Sequence, residues 1–117
     1  MDISSFSDEL LAGQRLMIGF DGTRLDQDLR FMIDNLKIGG IVLFSRNLVD
    51  PAQIRQLTQD IQAYAEKCSL PPLIVSIDQE GGVVARLKPP FTQFPGNPHM
   101  KNASYAVGFA ETTATEL

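Results

Sequence analysis

Residues 73–87 read "LIVSIDQEGGVVARL", and the fold turns on how this stretch is read. An apolar-leaning run enters two carboxylates, Asp78 and Glu80, passes through the diglycine Gly81–Gly82 and reaches Arg86. A short apolar run that stops abruptly at charged residues has the form of a buried strand delivering polar groups at its carboxyl end. In parallel α/β architectures, function collects at such ends, where loops take over.

Working outward, "GGIVLFSRN" (residues 39–47) is a second run of the same kind. It is β-branched and apolar on consecutive residues, so both faces are covered, and the same is expected of "LIVSID". "RLMIGFDG" (residues 15–22) shortens into an apolar run ending at glycines, a first strand over about residues 15–20. Helical patterns alternate with these strands. "SSFSDELLAGQRLM" places serines before acidic residues and Leu10 and Leu11, a helix start. In "TRLDQDLRFMIDNLKIGG", Leu25, Leu29, Met32, Ile33 and Leu36 recur at helical steps, with Gly39 near the end. "DPAQIRQLTQDIQAYAEKC" opens with Asp50 as N-cap and Pro51 at the first helical position, and Ile54, Leu57, Ile61 and Ala65 share one face.

After residue 87 the style changes. "KPPFTQFPGNPHMKNAS" carries Pro89, Pro90, Pro95 and Pro98 and reads as an irregular excursion. "NASYAVGFAETTATEL" resumes a helical pattern, with Asn102 or Ser104 able to cap it. The alternation predicts an α/β fold of right-handed βαβ units on a parallel sheet. A closed (β/α)8 barrel needs ~250 residues, and an open doubly wound sheet has about five or six strands. Residues 1–117 are therefore expected to be an amino-terminal piece of a larger domain.

Composition narrows the partners. Ten basic and fourteen acidic residues give a net charge of −4, which argues against a nucleic-acid backbone. No apolar run approaches the ~20 residues needed to span a bilayer, so no membrane partner is expected. The amino terminus lacks a basic-then-apolar signal pattern, and a lone Cys68 fits a reducing compartment; both predict a cytoplasmic protein. Cys68 reads as a packed thiol. His99 is the one histidine and lies in the proline-rich loop, so Cys/His catalysis and an intrachain zinc site are poorly supported.

Three strand ends carry polar groups: "GFDG" (19–22), "LFSRN" (43–47) and "SIDQEGG" (76–82). Asp78 and Glu80, two residues apart in extended chain, would point the same way roughly 6.5–7 Å apart. That spacing suits a glycosidase carboxylate pair at ~5–9.5 Å or a hard-cation site. Against both, one strand end seldom flanks a substrate from two sides, and a metal needs more ligands. Equally, the two carboxylates could accept from loop amides and from Arg46 or Arg86. Arg46 is expected to brace a carboxylate at the next strand end, with binding of an anionic ligand as the alternative. Arg86 can fold back over Asp78 across the flexible diglycine, or stand as a solvated loop arginine. Asp21 and His99 read as turn and loop residues. Gly81 and Gly82 allow positive φ and a close approach of backbone to a ligand or neighbouring strand, and a tight turn needing no ligand explains them equally well. They form no GxGxxG or GK[ST] fingerprint, so nucleotide binding has little support.

Taken together, "IGGIVLFSRN", "PPLIVSIDQEGGVVARL" and "FTQFPGN" resemble the amino-terminal domain of the family 3 glycoside hydrolases, nearest the β-N-acetylhexosaminidase branch that acts on cell-wall muropeptides. The resemblance runs from "GQRLMIGFDG" to "ATEL". It implies roughly the first three βα units of a (β/α)8 TIM-type barrel, incomplete in this chain, from a retaining enzyme of peptidoglycan recycling that releases terminal β-linked N-acetylhexosamine. It also implies a carbohydrate substrate bound by Asp78 and Arg86, and no cofactor. Position 83 is Val, where related sequences often carry Arg. The family's nucleophilic aspartate and acid/base histidine fall beyond Leu117, and "FPGN" with His99 does not match the acid/base segment. The chain alone is thus expected to be inactive and to self-associate through an uncovered sheet edge. The rival readings are a stand-alone α/β carbohydrate-binding or interaction module and a family 3 β-glucosidase.

Overall fold

A computed structural model describes residues 3–117. The chain forms two compact units, one ending at Ser76 and the other spanning Ile77–Leu117.

In the first unit, α1 (Asp8–Gly13) starts at Ser7, whose hydroxyl accepts the Leu10 N–H. It leads into β1 (Met17–Gly19). Helix α2 (Gln27–Leu36) is capped by Asp26, which accepts from Leu29 N at 2.9 Å. Leu25 therefore precedes the helix. Helix α2 ends near Gly39, as read, but the left-handed cap residue is Lys37, at φ 52°. Gly39 instead lies where a Cβ would come within 2.2 Å of the Gln14 carbonyl oxygen, and its N–H donates to the Leu16 and Gly13 carbonyls. Strand β2 (Gly40–Leu43) follows, then a 3₁₀ turn over Ser45–Asn47 and α3 (Pro51–Lys67), with Asp50 and Pro51 in the cap positions the sequence predicts. Strand β3 is Ile74–Ile77.

The sheet order is β1–β2–β3. β1 and β2 run parallel with Met17 opposite Gly40 and Gly19 opposite Val42. This is the α/β fold, built of the parallel βα units that begin a (β/α)8 barrel. Strand β2 is covered as expected, with Ile41 and Leu43 buried. Strand β3 is not: Ile74 is 63% exposed and the rest of the strand is half-buried. The reason is position, since among the described residues β2 has a neighbour on each side and β3 has one. Leu29, Ile33, Ile38, Ile41, Leu57 and Ile61 are almost wholly removed from solvent. At about 25 cal/mol per Å² of apolar surface buried, each contributes on the order of 2 kcal/mol. Gln62 of α3 fastens the start of β3 by a double amide bond, donating to Leu73 O at 2.8 Å and accepting from Leu73 N at 3.0 Å.

The second unit holds a hairpin that the sequence reading did not foresee. Strands β4 (Gln79–Gly81) and β5 (Val84–Ala85) pair antiparallel through the two-residue turn Gly82–Val83. Helix α4 (Ala103–Glu116) is capped by Asn102, not Ser104. It holds the proline-rich segment by two contacts. Glu116 accepts from both the N–H and the hydroxyl of Thr92, and Phe94 meets Phe109 edge to face at 4.9 Å. No helix among the described residues is long and apolar enough to cross a membrane.

Candidate functional site

Asp78 lies between β3 and β4, which belong to different sheets. The chain is therefore not one extended strand through Glu80, and the same-face spacing expected of Asp78 and Glu80 does not apply. The two carboxylates take separate partners. Glu80 accepts from Asn97 Nδ2 at 3.2 Å, while Asp78 faces Arg86, with Oδ2 3.8 Å from Nη2. Among the described residues no group of three or more His, Cys, Asp or Glu side chains is placed to hold a metal ion.

The hairpin brings Asp78 and Arg86 together. Gly81 and Gly82 adopt φ of 83° and 59°, a region that strains any other residue. A Cβ on Gly81 would stand 2.8 Å from Phe94 O and Gly96 N, and one on Gly82 would stand 2.8 Å from Pro95 O. Gly82 N donates to Phe94 O at 2.7 Å, so the hairpin and the "FPG" segment meet backbone on backbone. The backbone register ends at Gln79 opposite Ala85. Beyond it, the Gln79 side chain continues the job: its Oε1 accepts Arg86 N at 2.8 Å and Leu87 N at 3.1 Å.

The pair so formed is loose. A separation of 3.8 Å is too long for a hydrogen bond, and the Asp78 side chain is 54% exposed against 29% for Arg86. Arg86 Nε is buried without a hydrogen-bond partner among the described residues. A buried unpaired donor costs about 1–3 kcal/mol, while the exposed part of the side chain is open to an acceptor on a bound molecule. A half-exposed carboxylate beside an under-used guanidinium can accept hydroxyl protons and donate to a carbonyl or hydroxyl oxygen at once.

The other strand ends of the first unit form a separate arrangement. Arg46 braces the preceding strand end, not the next one. Its Nε donates to Phe20 O at 3.0 Å and meets Asp21 Oδ1 at 2.7 Å, while its guanidinium lies 4.7 Å over the Phe44 ring. Asp21, read as a turn residue, is thus its partner. They border a cleft of about 270 Å³ together with Asp26, Asp28 and Met32. Asn47, which sequence reasoning passed over, is fully buried. Its Nδ2 donates to Phe20 O and Gly22 O, and its Oδ1 accepts Phe44 N. Gln53 adds bonds to Thr23 O and Asn47 O. Cys68 caps α3 and is half-buried, and His99 sits in a 3₁₀ turn over Asn97–His99.

Parallel βα units followed by a carboxylate–arginine hairpin define an α/β chain of the (β/α)8 class. Comparison with known proteins gives the family. The chain belongs to the glycosyl hydrolase family 3 N terminal domain, whose profile matches residues 9–117. A β-hexosaminidase of Alkalilimnicola ehrlichii is 44% identical over 80 residues, which is 68% of this chain and 22% of that protein. One from Pseudomonas aeruginosa is 32% identical over 107 residues, covering 86% of this chain and 31% of that protein. Among solved structures, a glycoside hydrolase family 3 β-N-acetylglucosaminidase from Paenibacillus sp. str. FPU-7 superposes with a TM-score of 0.92 at 37% identity. That match covers 97% of this chain and 22% of that one. NagZ from Neisseria gonorrhoeae in complex with N-trifluoroacetyl-D-glucosamine gives 0.60 at 34% identity, over 68% of this chain and 22% of that one. The chain thus spans well under half the length of these relatives.

Proposed function

We propose that this chain is the amino-terminal part, over residues 1–117, of a barrel domain in a retaining glycoside hydrolase. The enzyme releases terminal β-linked N-acetylhexosamine from substrates of the cell-wall muropeptide type. In this reading Asp78 and Arg86 bind the sugar, and the nucleophile and the acid/base are supplied outside these residues. The protein works in the cytoplasm, in peptidoglycan recycling, without a cofactor. The isolated chain is inactive and self-associates through the exposed side of β3.

The observation that carries the reading is the loose Asp78–Arg86 pair, whose side chains are both part-exposed and too far apart to hydrogen-bond to each other. A carboxylate that accepts two hydroxyl protons and a guanidinium that donates in a plane together suit a pyranose edge. Such contacts can add several kcal/mol in the transition state, about what glycoside hydrolysis draws from substrate hydroxyls. The relatives support it: two of those named above are β-hexosaminidases and one is a β-N-acetylglucosaminidase.

Titration of the isotope-labelled chain with N-acetylglucosamine tests the sugar contact. The Arg86 Nε–H resonance and the amides of residues 78–87 should move together and saturate. Asp78→Ala and Arg86→Ala should each weaken binding about tenfold, the scale of one charge-assisted hydrogen bond. Movement elsewhere with this segment silent would refute the assignment. Turnover of an aryl β-N-acetylglucosaminide by the pure chain would refute the claim of inactivity.

A further inference from the structure

The Asp78–Arg86 pair is separated by a hairpin whose backbone ladder stops one residue too early to hold it. The last register pair is Gln79 opposite Ala85. Arg86 and Leu87 lie past the end of β5, where no strand neighbour takes their N–H groups. Both are taken by one atom, Gln79 Oε1, at 2.8 and 3.1 Å. The far side of the same junction is held too, because Gln93 Nε2 donates to Leu87 O at 3.2 Å and to Phe91 O at 2.7 Å. Gln79 is covalently next to Asp78, so its side chain ties the residue after the carboxylate to the residue that carries the guanidinium.

We infer that Gln79 is the positioning residue of this pair: its carboxamide oxygen stands in for the missing rung of the ladder and sets where Arg86 meets Asp78. The requirement is for an acceptor at the end of a two-methylene stem, and it is not a requirement for charge or for an amide N–H. A glutamate meets it, because a carboxylate oxygen accepts backbone N–H groups at least as well. Leucine does not, because it leaves two N–H groups unmatched. Asparagine keeps the amide and withdraws its oxygen by one methylene. The consequence for ligand affinity rests on the proposed sugar-binding role of the pair, whereas the geometry does not.

The test compares the full chain with Q79L and Q79E. With N-acetylglucosamine as probe, Q79L should bind about tenfold more weakly, the loss expected for one hydrogen-bond system, and Q79E within about twofold of the parent. Hydrogen exchange should speed up about tenfold at the Arg86 and Leu87 amides in Q79L alone. The amides of Gly82, which donates to Phe94 O, and of Phe109 in α4 report whether the second unit still folds; if Q79L does not fold, Gln79→Asn replaces it. Parental affinity in the variant lacking the acceptor overturns the inference. So does an equal loss in Q79E. If the parent chain binds no sugar, the proposed function fails by itself, and the {1H}–15N NOE at Arg86 Nε decides the inference. A drop in Q79L with Q79E unchanged supports it, and no difference between the two overturns it.

Discussion

Asn47 makes use of every polar atom it buries: two donations to carbonyls of the β1–α2 connection and one acceptance from Phe44 N. Its contribution is therefore lost as a set. Asn47→Ala should lower the unfolding free energy by about 2–4 kcal/mol, because it strands buried groups as well as opening space. Urea denaturation followed by circular dichroism measures this. Arg46→Ala, whose Asp21 partner is 92% exposed, should cost less than about 1 kcal/mol in the same assay. The contrast was not legible in the sequence. "SRN" shows two polar residues after a buried strand, but which one turns inward depends on carbonyls 25 and 27 residues away. Asp78 was legible as a candidate because the apolar run ends on it, and Arg86 became one through the family resemblance, while Gln79 was not, since a glutamine between two acids carries no signal of its own.

Caps and helix faces were the most readable elements, because they depend on residues within one or two turns. Asp50 sits as read, accepting Gln53 N at 2.8 Å, and Asp50→Ala should cost about 1 kcal/mol in thermal or urea unfolding. Helix α1 carries a pH dependence. The Ser7 hydroxyl, then its own backbone amide, hold Glu9 below the usual carboxylate range. A folded-state pKa lowered in this way contributes stability above the unfolded-state value and loses it as pH falls through the folded one. The protection factors of the α1 amides, with the intrinsic pH dependence of exchange divided out, should therefore fall on acidification, and Glu9→Gln should flatten that dependence. The hairpin was the least readable element. "QEG" and "VA" are too short for a period-two pattern, so the strands went unread, although the diglycine was legible as a tight turn or a close backbone approach and forms a turn seated on Phe94–Gly96. Gly81→Ala should cost more than about 2 kcal/mol, since it adds strain at φ 83° to a backbone clash.

At the scale of the whole molecule, the strand–helix alternation gave the α/β class correctly because it records local periodicity. Coverage of β3 is a different kind of property, set by what lies beside the strand, and the apolar run could not report it. Ile74, Val107 and Tyr105 are 63%, 54% and 44% exposed, and α4 has no buried residue. Light scattering across a dilution series should show mass rising with concentration, and Ile74→Lys, a charge on the exposed strand, should shift that curve to higher concentration. The Asn47 clamp also bears on how the protein ages. While closed, its amide is shielded from hydrolysis. Should a thermal opening expose it long enough to deamidate, the returning side chain would present a carboxylate to two carbonyl oxygens, and reclosure would be disfavoured. Heat damage would then accumulate as a one-way ratchet, and because deamidation is far slower than reclosure, shelf life would follow the equilibrium population of the open form.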